Sequence, residues 1–209
     1  MLKASCVIVG LGLDPAGQLT VEAAAWLKQV DHLFYLPSPA GQWLANREPR
    51  AIATTLTTAL DHLLPLLAEG QTICLAVGGH PAMQPGLQTV VQQIRQAGYK
   101  VWLTAAISVE DCLFADLGFD PGRGGCQSFT ASHFLARQPR FDPRATLLLW
   151  GLSRPELLPL TELLQHHYPA DYPIILYEAG LRPEYRQYPL NQLPTIEPTA
   201  QTVLCLRPR

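Results

Sequence analysis

Three short stretches of the chain carry residues whose types and spacing suit chemistry at a backbone surface. Val9-Gly10-Leu11-Gly12-Leu13-Asp14-Pro15 sets two glycines one residue apart directly after an apolar run. Val77-Gly78-Gly79-His80-Pro81-Ala82-Met83 repeats the arrangement after a second apolar run. Ala105-Ala106-Ile107-Ser108 puts small residues ahead of a helix-like segment that opens with Val109, Glu110 and Asp111. Glycine lets a ligand approach the backbone closely. The free N–H groups of a helix start favour an anion or carboxylate. Each stretch also has a plainer reading: a tight turn at residues 10–15, a turn histidine at His80, an ordinary capped helix after Ser108. For His80, ligand contact and turn weigh equally, and proton transfer weighs less. A dinucleotide fingerprint is disfavoured, because its third glycine would fall at Pro15, and Leu36-Pro37 stand where an acidic residue would close the second strand.

The elements that must position these loops alternate. Short β-branched or apolar runs at residues 6–9, 32–36, 72–77 and 99–103 read as strands, and residues 20–30 and 86–97 as helices. Thr20 is a natural N-cap and Gly98 a natural stop. Pro49-Arg50 leads into apolar positions Ile52, Leu56, Ala59, Leu60, Leu63 and Leu67, whose 3.6-residue period predicts one helix. Continuous apolar strands alternating with helices imply a parallel sheet covered on both faces, and the carboxyl edge of such a sheet binds ligands. Beyond residue 105 the pattern loosens. Helices are expected at residues 108–117 and 155–167, with an open glycine-rich loop at 121–125 between strand-like and helical segments. Strands are expected at 126–129, 146–150, 174–177, 184–188 and 202–206, their succession suggesting hairpins and a mixed sheet. The expected class is α/β, as two small α/β domains: residues 1–105 around a parallel sheet and residues 106–209 around a mixed one.

Composition narrows the function classes. With 209 residues, 48 % hydrophobic and only 15 % charged, the chain holds a substantial core and is not disordered. A net charge of −2 gives no electrostatic case for nucleic acid or for a polybasic membrane surface. No apolar run approaches the ~20 residues of a membrane span, and the N-terminal Met1-Leu2-Lys3-Ala4-Ser5 leads to no small-residue cleavage site. The 19 prolines are dispersed as loop punctuation. Cys6, Cys74, Cys112, Cys126 and Cys205 show no CxxC spacing, so neither a disulfide framework nor a metal site is expected, and the compartment reads as the reducing cytoplasm.

The three loops, in this order, resemble the tetrapyrrole methylase superfamily, the class III S-adenosylmethionine methyltransferases. The family's glycine turn and following helix are matched by Val9-Gly10-Leu11-Gly12-Leu13-Asp14 and Leu19-Thr20-Val21-Glu22-Ala23. Its third-strand motif is matched by Gly79-His80-Pro81, its P-G-[IV]-S segment by Ala105-Ala106-Ile107-Ser108, and its ending by Thr202-Val203-Leu204-Cys205-Leu206-Arg207-Pro208. The Gly-His-Pro form, with residues 108–117 and 125–135, is most similar to the borosin-type peptide backbone α-N-methyltransferases. Arg50 matches an arginine of those enzymes, whereas Thr54 and Gly78 stand where they carry tyrosines.

The resemblance implies S-adenosylmethionine, or its product S-adenosylhomocysteine, in a cleft between two α/β domains of a homodimer. It implies cofactor contacts from Gly10, Gly12, Asp14, Gly78, Gly79, His80 and Met83, and from Ser108 and Val109. Trp150, Tyr177 and Thr202 would line adenine and ribose. Near the methyl group it leaves Tyr35 and Arg50 as the candidate catalytic side chains. Tyr35 ends the second strand at the edge that carries the glycine loops, and also reads as a core residue with a wet tip. A peptide backbone amide is the implied acceptor, and a separate peptide substrate is a further expectation. Two other readings stay open: a non-catalytic scaffold of the same fold, and a corrin-like small-molecule methyltransferase with a basic cleft drawn from Arg47, Arg50, Arg123 and Arg137.

Overall fold

Cys6, Val7, Ile8 and Val9 are all fully buried, which only a central strand covered on both faces allows. They lie in β1 (Ser5–Gly10), in a computed structural model that describes residues 4–180, 183–199 and 201–209. The N-terminal reading above rests partly on Met1, Leu2 and Lys3, which lie outside the described residues. The chain divides into two units, one ending at Val109 and the other beginning at Glu110.

In the first unit β1 is followed by α1 (Pro15–Gln18), α2 (Val21–Gln29), β2 (His32–Tyr35), α3 (Pro39–Ala45), β3 (Ala51–Ala53), α4 (Ala59–Ala68), β4 (Thr72–Val77), a 3-10 turn Pro81–Met83, α5 (Leu87–Gln96) and β5 (Lys100–Leu103). The five strands pair in the order β3-β2-β4-β1-β5, every pairing parallel. Ile8, Phe34, Leu75 and Val77 pack with Leu63 and Leu67 of α4 and Val90 and Ile94 of α5. Val7, Val9, Leu33 and Ala76 pack with Leu27 of α2 and Leu44 of α3 on the other face. All strands run one way, so Gly10, Tyr35, Ala53, Val77 and Leu103 end at one edge.

The helix expected from Pro49-Arg50 begins only at Ala59. Ala51–Ala53 is instead the edge strand, with Leu33 opposite Ala51 and Tyr35 opposite Ala53, and Ile52 is 51 % exposed. Between strand and helix lie Thr54, Thr55, Thr57 and Thr58, whose hydroxyls bond to one another and to the Thr55 and Thr58 N–H groups. Such local bonds offer the backbone an alternative to the helix ladder. The stretch between Pro37 and Pro49 holds α3, with Pro39 in its first turn and the Ser38 hydroxyl accepting from Gly41 N–H at 2.9 Å. Proline there costs nothing, because that N–H has no helical partner.

The second unit begins within α6 (Val109–Asp116), then runs α7 (Pro121–Gly124), β6 (Cys126–Thr130), α8 (Ala131–Arg137), β7 (Thr146–Trp150), α9 (Leu157–Gln165), β8 (Pro173–Glu178), β9 (Glu184–Pro189) and β10 (Thr202–Leu206). The open loop expected at 121–125 is a helical turn capped by Asp120. The strand order is β6-β7-β10-β8-β9; β6–β7 is parallel and the other pairings antiparallel, so the sheet is mixed as expected. Its core gathers Phe134, Leu147, Leu149, Leu160, Leu164, Leu176, Leu204 and Leu206. Among the described residues no helix is long and apolar enough to cross a membrane.

Candidate functional site

At the carboxyl edge of the parallel sheet the two glycine loops are joined. The Leu11 N–H donates to the Val77 carbonyl at 2.9 Å, and the Gly79 N–H donates to the Gly12 carbonyl at 2.8 Å. Gly12 and Gly79 both sit at positive φ, 70° and 68°, where a side chain is strained. Their surroundings differ. A Cβ on Gly12 would lie 2.6 Å from the Gln18 Cβ, whereas on Gly79 it would meet only Leu13 Cδ2 at 3.6 Å. Gly79 therefore offers the open approach, and Gly12 is closed by the protein itself.

Gly10 is closed as well. A Cβ there would lie 2.3 Å from the Ala106 Cβ, 2.6 Å from the Gly79 carbonyl oxygen and 2.7 Å from Pro81 Cδ. Its N–H donates to Oγ1 of the buried Thr104 at 3.3 Å. Gly10 thus serves the meeting of three loops: its own turn, the Gly79 loop and residues 104–106. A Cβ on Gly78 would meet Ser38 Oγ at 3.0 Å, so a side chain there requires the Ser38 hydroxyl to shift.

Asp14 caps α1, its Oδ1 accepting from Ala16 N–H at 3.2 Å. The Gln18 side-chain oxygen accepts from Leu13 N–H at 2.7 Å and Asp14 N–H at 3.0 Å, and so holds the glycine turn. Gln18 and Thr104 were not expected from sequence. Only the position of each, just beyond a glycine turn or a strand end, could have pointed to them.

His80 accepts the Ala82 N–H on Nδ1 at 3.1 Å, capping the Pro81–Met83 turn. With Nδ1 an acceptor, the neutral ring carries its proton on Nε2 and presents a donor there. That suits hydrogen bonding to a ligand carboxylate and does not suit a base. Met83 closes the same turn, half-buried, its N–H donating to the His80 carbonyl at 3.0 Å. Ser108 is buried and Val109 half-buried at the start of α6. Tyr35 is half-buried at the carboxyl edge, its ring against α3, where a Cβ on Gly41 would lie 2.8 Å from Tyr35 Cδ2. Its hydroxyl has no hydrogen-bond partner among the described residues.

Arg50 is elsewhere. It precedes β3 and therefore lies at the amino edge, opposite the glycine loops. Its guanidinium donates to the Val30 carbonyl at 2.8 Å and to the Leu27 carbonyl, and it pairs with Glu48 at 3.7 Å. It therefore serves the end of α2, where a cation is favoured, at the edge away from Tyr35 and the glycine loops. Arg47 lies over the Trp43 ring at 4.3 Å, so two of the four arginines expected in a basic cleft have local partners.

In the second unit, Trp150 and Tyr177 flank Val203 across the sheet, on β7 and β8. The Trp150 Nε1–H donates to Ser128 Oγ at 3.1 Å, and that hydroxyl donates to Glu110. Tyr177 is fully buried and donates to Asp116 Oδ2 at 2.6 Å; burial first, then the Asp116 bond and charge, push its phenol well above the usual range. The Thr202 hydroxyl, also buried, donates to Glu178 and accepts from Thr199 N–H at 2.7 Å. The Tyr177 hydroxyl is thus tied to α6, and the Thr202 hydroxyl to Glu178 of the neighbouring strand and to the loop at Thr199.

Residues 5–193 match the family Tetrapyrrole (Corrin/Porphyrin) Methylases. Among curated relatives, the methyltransferase/ribosomally synthesized cyclic peptide gymnopeptides precursor of Gymnopus fusipes is 28 % identical over 210 residues, covering 86 % of this chain and 49 % of that protein. The corresponding omphalotin A precursor of Omphalotus olearius is 26 % identical, covering 86 % of this chain and 50 % of its own length. The type III borosin cyclic peptide precursor of Anomoporia bombycina is 27 % identical over 85 % of this chain and 24 % of its own length. The chain thus spans about half, or less, of these relatives. Among solved structures, uroporphyrin-III-C-methyltransferase from Thermus thermophilus superposes with a TM-score of 0.78 at 21 % identity, covering 97 % of this chain and 94 % of that one. With its parallel sheet, its bridged glycine loops and a match over nearly its whole length, the chain belongs to the tetrapyrrole methylase family, a family of methyltransferases.

Proposed function

We propose that the loops at the carboxyl edge of the first unit bind S-adenosylmethionine, and that the protein transfers its methyl group to a peptide backbone amide nitrogen. The observation that carries this reading is the Gly12–Gly79 bridge, which holds two glycine loops together and leaves the Gly79 backbone open. The peptide acceptor is supported by relatives whose names join a methyltransferase to a ribosomally synthesized cyclic peptide precursor. Here the acceptor would be a separate peptide.

In that reading the residues of this chain bind and align. His80 donates from Nε2 to the cofactor carboxylate, and backbone groups of residues 78–79 face its amino-acid part. Tyr35 offers its unpartnered phenol to the acceptor. Methyl transfer needs the nucleophile in line with the sulfonium methyl and water excluded, and an amide acceptor must also give up its proton. S-adenosylmethionine supplies the electrophilic methyl. A homodimer in the reducing cytoplasm completes the proposal, supported by the low charged fraction of 15 % and by five free cysteines.

The test is incubation with S-adenosylmethionine labelled in its methyl group and a randomised synthetic peptide library, read by tandem mass spectrometry. Label on backbone nitrogen is expected; label on side chains only would overturn the amide assignment. Light scattering at micromolar concentration is expected to give twice the chain mass, and a monomer would overturn the dimer.

A further inference from the structure

The strand order β3-β2-β4-β1-β5 brings a second group of polar side chains to the same carboxyl edge. Where β3 ends, Thr54 is 3 % exposed, and its backbone N–H donates to the Tyr35 carbonyl at 3.0 Å. Its Oγ1 lies 3.0 Å from Nδ1 of His62 and 3.3 Å from Thr58 Oγ1. Thr58 Oγ1 is 2.9 Å from Thr55 Oγ1, which is 2.7 Å from Thr57 Oγ1. The His62 ring, in the first turn of α4, stacks on Phe34 of β2 with centroids 5.7 Å apart and planes within 8°. Phe34 fixes the plane of the imidazole and Thr54 fixes its rotation, while His62 itself stays exposed. Neither polar group is needed to close the core: an exposed histidine has water, and a buried threonine can bond to its own backbone.

We propose that His62 takes the proton released by the methyl acceptor through Nε2, with Thr54 as its positioning residue. This rests on the S-adenosylmethionine reading above. Strands β2 and β4 are hydrogen-bonded neighbours, ~4.8 Å apart, so a ligand held on the loop after β4 has the end of β2 beside it. In the transfer, a bond forms between the acceptor atom and the methyl carbon. The carbon–sulfur bond breaks, its electron pair staying on sulfur as a neutral thioether. The acceptor's N–H or O–H proton passes to His62 Nε2 and then to water. An imidazolium has two donors, and Thr54 Oγ1 accepts from Nδ1–H while its own hydrogen turns to Thr58 and the exposed threonines beyond. The acceptor class follows: a nitrogen or oxygen nucleophile that must lose a proton.

The experiment needs no identified acceptor. The full chain is saturated in turn with S-adenosylmethionine, whose sulfonium is cationic, and with S-adenosylhomocysteine, whose thioether is neutral, and the His62 ring is titrated by nitrogen-15 NMR. The titratable groups nearest the ring in the chain and across the strand ends, Asp61 on α4 and Tyr35 on β2, are the same in both complexes and cancel. A sulfonium held close to Nε2 disfavours the imidazolium by Coulomb repulsion, so in that complex the ring should take its proton at lower pH. That downward difference in the S-adenosylmethionine complex is expected, with His62→Gln assigning the signal. Thr54→Ser should keep the ring's tautomer signature and Thr54→Val should lose it. Equal His62 titration in the two complexes overturns the proposal while leaving the cofactor reading intact. Failure of either ligand to bind overturns the cofactor reading, and this proposal with it.

Discussion

The Gly79 N–H donates to the Gly12 carbonyl at 2.8 Å, tying the turn after β1 to the loop after β4 with both glycines at positive φ. Their neighbour Gly10 is limited by space instead. The two kinds of glycine separate by mutation. Gly10→Ala overpacks three loops and should cost about 1–3 kcal/mol of stability. Gly79→Ala meets no close atom and should cost about 1–2 kcal/mol from its backbone alone, yet weaken S-adenosylmethionine binding at least tenfold. Thermal melts with calorimetric titration check both. A Gly79→Ala protein with full affinity would place the ligand elsewhere.

Gln18 holds two N–H groups of the turn that carries Gly12. Gln18→Leu removes their acceptor at a cost of about 1–3 kcal/mol and should lower cofactor affinity. Thr20→Ala, which removes the α2 cap, should cost ~1 kcal/mol and leave affinity unchanged. The contrast in binding is the readout, because both variants lower the melting temperature.

Arg50→Met should lose about 1 kcal/mol, discounted for the exposure of its side chain. It should not change the methyl-transfer rate. A rate loss greater than tenfold at unchanged stability would return Arg50 to the catalytic site.

Tyr35→Phe removes a hydroxyl that has no hydrogen-bond partner among the described residues. Acid–base assistance typically contributes ~10²–10⁴-fold, so single-turnover transfer should slow measurably with cofactor affinity intact. Equal rates would remove Tyr35 from the mechanism.

Burial pushes the Cys6 and Cys205 thiols up to about 12 and Cys126 to about 11, from an ordinary value of 9.0. In the unfolded chain these thiols lose their protons from pH 9.0 upward, while the folded chain still holds them. The stabilisation is therefore complete below that pH and declines between it and the folded values. Urea midpoints should fall from pH 8 to pH 10, and Cys205→Ala should flatten the fall even though it lowers both midpoints.

The parallel sheet was legible because Cys6-Val7-Ile8-Val9 and Ile73-Cys74-Leu75-Ala76-Val77 are apolar without interruption, which marks strands buried on both faces. The region between Tyr35 and Ala59 was not. Ala51, Ile52 and Ala53 sit in a helical period, and only pairing with β2 makes them a strand. Pro39, one of the prolines taken as loop punctuation, starts α3. In the site, the glycine loops and His80 stood out because positive φ and turn chemistry leave a residue signature. Gln18, Thr104 and the Thr54–His62 pair did not, since their roles depend on contacts made across the fold. Arg50 was singled out by resemblance alone, and its bonds to the Leu27 and Val30 carbonyls depend likewise on contacts made across the fold.

Calorimetric titration of the full chain with S-adenosylmethionine and S-adenosylhomocysteine tests the central claim most directly. The account predicts one site per chain with micromolar affinity, about −8 kcal/mol, weakened at least tenfold by Gly79→Ala and unaffected by Arg50→Met. No heat with either ligand, or the same affinity in the Gly79→Ala protein, would contradict it.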